Sequence, residues 1–301
     1  KLLWYMPHGD MVADAVSAAS AADVAIVVLG LSPRLEGEEM RVKLEGFEGG
    51  DRTSLGLPAV QEELLSAVIA TGKPVIVVLM NGGPVAPLLA EEKAAAVLLA
   101  GYPGVEGGDA VADVIFGDYN PAGRLPVTYY RSVDQLPPFD DYDMENRTYR
   151  YFTGTPLYPF GYGLSYTTFE YSDLVVPEKT VTGSDVRVKV TVTNTGNVAG
   201  DEVVQLYLTD EKASTPRPLR QMEGFRRIHL QPGESCTVDF TISAYQFSMI
   251  NDREKRVIEP GWFTLSAGGK QPGFQGSIDP QFTGVLTSRM RMSGREVELS
   301  E

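Results

Sequence analysis

Five glutamates, at positions 36, 38, 39, 45 and 48, fall within thirteen residues of one stretch. It reads Gly30-Leu31-Ser32-Pro33-Arg34-Leu35-Glu36-Gly37-Glu38-Glu39-Met40 and runs on to Asp51-Arg52-Thr53. Ionised carboxylates this close repel one another, which raises the pKa of one member toward neutrality. A carboxylic acid that keeps its proton near pH 7 is what general-acid catalysis at a leaving oxygen requires, with a second carboxylate facing the reacting carbon. By composition alone the same run also reads as a solvated acidic loop, so both readings stay open at this point. Other chemistries are poorly provided for. A single cysteine, Cys236, rules out an intrachain disulfide and reads as a small buried residue. With only His8 and His229 beside it as soft ligands, no structural zinc site is expected. Neither histidine sits in the context of a Ser-His-Asp triad. Asn81-Gly82-Gly83-Pro84 lacks the Lys-Ser/Thr of a phosphate loop; on a sheet-edge loop it is placed to line a site, but a Gly-Gly-Pro turn needs no ligand and it reads as a plain turn. No cofactor is expected.

The elements that must position these carboxylates alternate between two periodicities. Residues 12–22 are Ala-rich and helical in pattern. Residues 23–30 form a continuous β-branched run ending in glycine, as for a strand buried on both faces. Residues 58–70 read as a helix with Pro58 at its start, Glu62 and Glu63 in its first turns and Gly72 beyond its end. Residues 74–80 and 94–100 are two more strands, and residues 106–116 a helix closed by Gly117. This alternation predicts an α/β sandwich with a mainly parallel sheet over residues 1–130, with its site at the carboxyl ends of the strands. The loops after Gly30, Met80 and Ala100 should then share one edge.

Residues 131–165, rich in Pro, Asp and Tyr, read as an ordered linker packed across a surface. Within it Arg147 and Arg150 are expected to pair with the Asp140-Asp141 region. From residue 166 to 269 the pattern alternates with period two, in runs at 185–194, 203–208, 234–242 and 262–267, separated by turns such as Pro232-Gly233 and Pro260-Gly261. That predicts a β-sandwich. No Cys…Trp…Cys pattern is present, so a fibronectin type III topology fits better than an antibody-like one. Residues 270–301 read as a tail with one strand near 284–292.

The chain has 301 residues and a formal net charge of -14. That balance argues against a nucleic-acid partner, which would need a basic patch. No apolar run approaches the roughly 20 residues that span a bilayer, so no membrane partner is expected. The opening Lys1-Leu2-Leu3-Trp4-Tyr5 has no initiator Met and no signal-peptide character, which suggests a fragment whose missing part lies upstream.

Several segments, in order, resemble family 3 glycoside hydrolases. They are residues 22–30, Gly37-Glu38, Gly50-Asp51-Arg52, Leu57-Pro58 with Gln61, Gly72-Lys73-Pro74 and the strand after it, and Gly107-Gly108-Asp109 through Gly117. Asn120-Pro121-Ala122-Gly123-Arg124-Leu125-Pro126, Tyr149-Arg150-Tyr151-Phe152 and Tyr158-Pro159-Phe160-Gly161-Tyr162-Gly163 continue the series, and Asn194-Thr195-Gly196 with Gly200 resembles the family's fibronectin-like domain. The resemblance implies a retaining exo-β-glycosidase, a β-glucosidase or β-xylosidase, acting on an oligosaccharide or aryl β-glycoside. In that family a barrel domain supplies the aspartate nucleophile and the second domain the acid/base glutamate, in a pattern Gly-Glu-Gly followed almost at once by Asp-Arg. Here Gly37-Glu38 matches, which makes Glu38 the acid/base candidate. Glu39 replaces the second glycine and an insertion at residues 40–49 delays Asp51-Arg52, so Glu36 and Glu39 stay as alternatives. Asp51-Arg52 reads as a local ion pair shaping the loop. No aspartate here matches the nucleophile's context, so an N-terminal barrel domain or companion chain is an implied partner and the chain alone should be inactive. Leu2-Leu3-Trp4 resembles the last strand of a lectin-like module that some members carry. A homodimer is allowed, and a polymer-derived substrate implies the periplasm or the cell exterior. The resemblance leaves glucoside against xyloside undecided, since that choice rests mainly on the barrel.

Two other classes compete with this reading. One is a non-catalytic carbohydrate-binding or interaction module built on the β-sandwich, and it predicts sugar affinity in the sandwich alone. The other is a nucleotide-binding α/β domain, which the absence of a phosphate-cradling glycine pattern after Gly30 disfavours.

Overall fold

A computed structural model describes residues 9–274 and 282–299. The chain divides into two compact units: residues up to Phe116 together with Tyr129–Leu136, and Gly117–Thr128 together with the chain from Pro137 onward. The lectin-like strand expected at Leu2-Leu3-Trp4 lies outside the described residues.

In the first unit, helix α1 (Gly9–Ser20) leads into strand β1 (Ala25–Gly30). The long acidic segment follows and contains a small hairpin, β2 (Phe47–Glu48) and β3 (Asp51–Arg52). Then come α2 (Ala59–Ile69), β4 (Val75–Met80), α3 (Leu88–Lys93), β5 (Ala96–Leu99) and α4 (Gly107–Phe116). The sheet order is β1-β4-β5 and both pairings are parallel, with Ala25 opposite Val75 and Ile76 opposite Ala96. The core joins alternate residues of β1 (Ala25, Val27, Leu29) to Val75, Val77 and Leu79 of β4 and to Leu65 and Val68 of α2. These are apolar side chains, all but Ala25 branched, at period two on the strands and period three on the helix, so one face of each element is dry. Strand β1 departs from the expectation of burial on both faces. Ile26 and Val28 are 49% and 58% exposed, because the buried cluster lies on only one side of that strand among the described residues.

Gly30 ends β1 where the chain must pass close to β4. A Cβ on it would lie 2.0 Å from the carbonyl oxygen of Met80, so only glycine fits. Gln61 of α2 fastens the same point. Its Nε2 donates to the Gly30 carbonyl at 2.7 Å, and its Oε1 accepts from the Gly30 amide at 2.8 Å.

In the second unit, residues 137–165 run in irregular turns around one short helix, α5 (Thr148–Tyr151). Arg147 caps these turns by donating to backbone carbonyls of Pro138, Asp141 and Asp143, so it meets the Asp140-Asp141 region through the main chain. Arg150 donates instead to the Gln221 side chain. The sandwich follows: β6 (Phe169–Val175), β7 (Lys179–Val181), β8 (Val186–Asn194), β9 (Gly200–Asp210), β10 (Gln221–Leu230) and β11 (Ser235–Ile242). Short β12 (Met249–Ile250) and β13 (Arg256–Ile258) precede β14 (Gly261–Gly268), β15 (Val285–Ser293) and β16 (Val297–Glu298). One sheet has the order β10-β9-β14-β15-β7 and the facing one β11-β8-β6, with a small third sheet β12-β13-β16. Strand β15 sits inside the five-stranded sheet, so part of the segment read as a tail belongs to the sandwich. Cys236 is only partly buried against the core.

The segment that follows α4 is tied to this sandwich by a buried ion pair. Arg124 donates to Glu202 at 2.7 Å, and Glu202 also accepts from Tyr171 at 2.7 Å and Thr283 at 2.9 Å. Burial pushes the Glu202 carboxyl up, against the pull of Arg124 and the three donors. Asn120 works beside it, accepting from the Tyr166 amide at 2.8 Å and donating to the Ala199 carbonyl at 3.2 Å. The aromatic Gly-rich stretch packs on the same sheet: Tyr149 stacks on Phe160 with ring centroids 4.1 Å apart. A Cβ on Gly161, whose φ is 76°, would sit 2.2 Å from Oε1 of Gln205.

Candidate active site

The three loops at the carboxyl ends of β1, β4 and β5 converge on Glu36. Its Oε1 accepts from the Gly83 amide and its Oε2 from the Gly82 amide, both at 3.1 Å. The Tyr102 hydroxyl donates to the same Oε2. Gly82 and Gly83 belong to the loop after β4 and Tyr102 to the loop after β5, so one carboxylate ties all three together. The parallel sheet makes this possible, because it delivers its three strand ends to one edge. Side-chain bulk explains the glycines: a Cβ on Gly82 would lie 2.7 Å from the Tyr102 ring, and one on Gly83 would lie 3.1 Å from Glu36 Oε1. Burial, together with the hydrogen bond and negative charge of Glu36, pushes the Tyr102 phenol up to about 12, so it stays a donor across the physiological range.

Arg52 completes the cluster. Its Nη1 donates to the Pro84 carbonyl at 2.6 Å, and Nε and Nη2 donate to the Ser54 carbonyl at 3.1 and 2.9 Å. Burial lowers its pKa, and the nearby negative charge of Glu36 works against that. The expected Asp51-Arg52 ion pair gives way to this arrangement. Adjacent residues on strand β3 point to opposite faces, so Arg52 turns inward to main-chain oxygens while Asp51 is exposed.

Glu38 and Glu39 are both exposed on the crest that follows. Neither carboxylate accepts a hydrogen bond among the described residues. Glu39 has φ 57°, in the left-handed region that favours glycine.

The insertion folds back onto the crest. The Met40 amide donates to the Gly49 carbonyl at 2.6 Å, and a Cβ on Gly50 would lie only 1.6 Å from the Gly37 carbonyl oxygen. This return brings Glu48-Gly49, followed by Asp51-Arg52, alongside Gly37-Glu38. The return arm carries the series Glu48-Gly49-Gly50-Asp51-Arg52, with Glu48 exposed on β2. Glu48 is one of the five clustered glutamates, and its spacing from Gly37 in sequence hides this proximity. The signal was the Gly49-Gly50 pair directly before Asp51-Arg52. Glu45 is exposed farther along the insertion. Among the described residues no group of acidic, His and Cys side chains is arranged to hold a metal ion.

Residues 6–166 match the glycosyl hydrolase family 3 C-terminal domain, and residues 202–271 match a fibronectin type III-like domain. The chain belongs to glycoside hydrolase family 3. It is 49% identical over 71% of its length to a xylan 1,4-beta-xylosidase of Xylanibacter ruminicola, of which it covers 24%. It is 42% identical to a periplasmic beta-glucosidase of Salmonella typhimurium, over 86% of this chain and 34% of that one. The beta-glucosidase of Listeria innocua in complex with glucose superposes on 98% of this chain with a TM-score of 0.81 and 28% identity, and the match covers 40% of that structure. The chain therefore corresponds to the carboxy-terminal part of these longer enzymes. A nucleotide-binding α/β domain is set aside by this membership.

Proposed function

We propose that this chain is the part of a retaining exo-β-glycosidase that supplies the general acid/base, and that Glu38 is that group. The substrate is a β-glucoside or β-xyloside, and the nucleophile comes from a barrel domain or companion chain. Glu38 protonates the leaving oxygen, then takes a proton from the water that attacks the glycosyl-enzyme ester. The observation that carries this reading is the division of labour between two neighbouring glutamates. Glu36 has both carboxylate oxygens engaged by three donors from two other loops. A group so engaged anchors a loop. Glu38, two residues on, holds an exposed carboxylate on the crest that Glu36 anchors. The left-handed backbone at Glu39 supports placing Gly37-Glu38-Glu39 on the family's Gly-Glu-Gly. Glu39, standing on the glycine position, is then a replacement for backbone and not the acid.

A second reading places the acid/base at Glu48, favoured by the Glu48-Gly49…Asp51-Arg52 series beside Gly37. One experiment separates the two. In the intact enzyme, Glu38→Gln should lower kcat/KM by about 10²–10⁴-fold on glycosides with poor leaving groups. Substrates with strongly acidic leaving groups need no proton and should be nearly spared. If that selective pattern follows Glu48→Gln or Glu36→Gln instead, the assignment moves to that residue. The periplasm or cell exterior suits such a substrate, and one relative bears a periplasmic name.

A further inference from the structure

The second unit contains a cavity of about 240 Å³ between α5, the turn after it, and the segments at 219–220 and 271–274. It opens to solvent past Thr153, Gly154 and Thr155, which are exposed. That volume lies just below the usual range for drug-sized ligands, roughly 300–1,000 Å³. A single sugar ring suits it and an oligosaccharide does not.

Three kinds of group line it. Tyr149, Phe152 and Phe274 supply aromatic surface, and the Tyr149 ring is held in place by stacking on Phe160 and by accepting from the Met222 amide at 3.1 Å. Thr128 and Gln271 are each 7% exposed, and Thr128 Oγ1 and Gln271 Oε1 are buried with no hydrogen-bond partner among the described residues. Leaving such atoms unpaired is costly, so in a native fold they point to a partner. The third group is Arg220. Its Nη1 donates to the Tyr149 carbonyl at 3.1 Å, and among the described residues it meets no carboxylate. The ionisable neighbours that face it are the phenols of Tyr207 and Tyr149. Its Nε and Nη2 remain, and these two form the side-on fork that grips a carboxylate through two parallel hydrogen bonds. Gly273, at φ 68°, lies beside the Nη2 end, where a Cβ would make only an ordinary contact at 3.9 Å.

We infer that this cavity binds one hexuronate ring, with the sugar carboxylate on Arg220, hydroxyls on Thr128 and Gln271 after small side-chain rotations, and a C–H face against the aromatic wall. Aromatic rings pack on the apolar face of a pyranose, while orphaned hydroxyl and amide groups match its alcohols. A guanidinium without an acidic partner selects the charged ring over a neutral one. The inference stands apart from the acid/base assignment, because no residue of the glutamate loop enters it.

The test is calorimetric titration of the full chain with D-glucuronate, D-glucose and acetate. Saturable glucuronate binding is expected in the millimolar range, with glucose and acetate each at least tenfold weaker. Arg220→Gln should bring glucuronate down to the level of glucose, and Thr128→Val should weaken both sugars. Glu38→Gln, which belongs to the other unit, should leave the glucuronate affinity as it is, whatever it does to catalysis. No saturable glucuronate binding up to about 50 mM would overturn the inference, as would equal affinity for glucose or an unaltered affinity in Arg220→Gln. Should a variant fail to fold, the amide resonances of Gly154 and Gly273 in the unmodified chain decide: they must shift on adding glucuronate, and unmoved resonances sink the proposal.

Discussion

Glu36 is the residue on which the acidic loop turns. Two main-chain amides and a phenol from other loops reach it across 46, 47 and 66 residues of sequence. Hydrogen bonds to an ionised group contribute about 1.5–3 kcal/mol each, so removing this carboxylate should release the loop. Glu36→Ala is expected to strip hydrogen-exchange protection from the Gly82 and Gly83 amides while leaving β1 and β4 protected. Protection unchanged at both glycines would show that something else holds them. A second residue-scale prediction concerns Glu223. Burial pushes its carboxyl up to about 6, opposed by the Gln246 amide and the charges of Arg217 and Arg150. Its Oε1 is buried without a partner among the described residues, while Oε2 accepts from Gln246 at 2.7 Å. A carboxyl whose folded pKa is raised binds its proton more tightly when folded. Its stabilising effect is complete below about 4.5, the unfolded value, and is lost as pH rises through about 6. Glu223→Gln should therefore melt at a higher temperature than the parent at pH 7–8, and the gap should close below pH 4.5. A gap that is constant with pH would contradict the assignment.

Strands and helices of the first unit were legible because their signals are local. The β-branched runs at 23–30 and 74–80 became β1 and β4 with small changes at their ends, and Pro58 and Gly72 bracketed α2. In the sandwich, β8 alternates buried and exposed residues along its length, and its period of two was readable at once. Strand β10 carries no such signal. Its residues do not alternate in burial, and a bulge between Met222 and Gly224 breaks the register. The choice among glutamates was open for a different reason. Gly82, Gly83 and Tyr102 carry no pattern that names Glu36 as their partner, and the proximity of Glu48 to Gly37 exists only once the insertion has closed. At the scale of elements, the buried pair Arg124–Glu202 fastens the segment at 117–128 to β9. Removing one partner of such a pair leaves an uncompensated buried charge and costs about 3–5 kcal/mol. Arg124→Met should lower the denaturant midpoint by that measure, and the double variant Arg124→Met with Glu202→Gln should recover part of the loss. A single variant as stable as the parent would mean the pair contributes nothing.

At the scale of the molecule, the chain supplies one edge of a parallel sheet with its loops gathered, and a fibronectin-like sandwich with a separate cavity. It covers 24% to 40% of the enzymes it most usefully compares with. Its first part matches the carboxy-terminal domain of the family, so it corresponds to one portion of those longer enzymes. We propose Glu38 as the proton donor and acceptor of the longer enzyme. Replacing it with alanine in the intact enzyme leaves room for a small anion beside the glycosyl-enzyme ester, where the missing base would have activated water. With an activated aryl glycoside and added azide, the Glu38→Ala enzyme should turn over faster than without azide and release a glycosyl azide of retained configuration. Hydrolysis products alone from Glu38→Ala, with the azide adduct formed instead by Glu48→Ala or Glu36→Ala, would contradict the account.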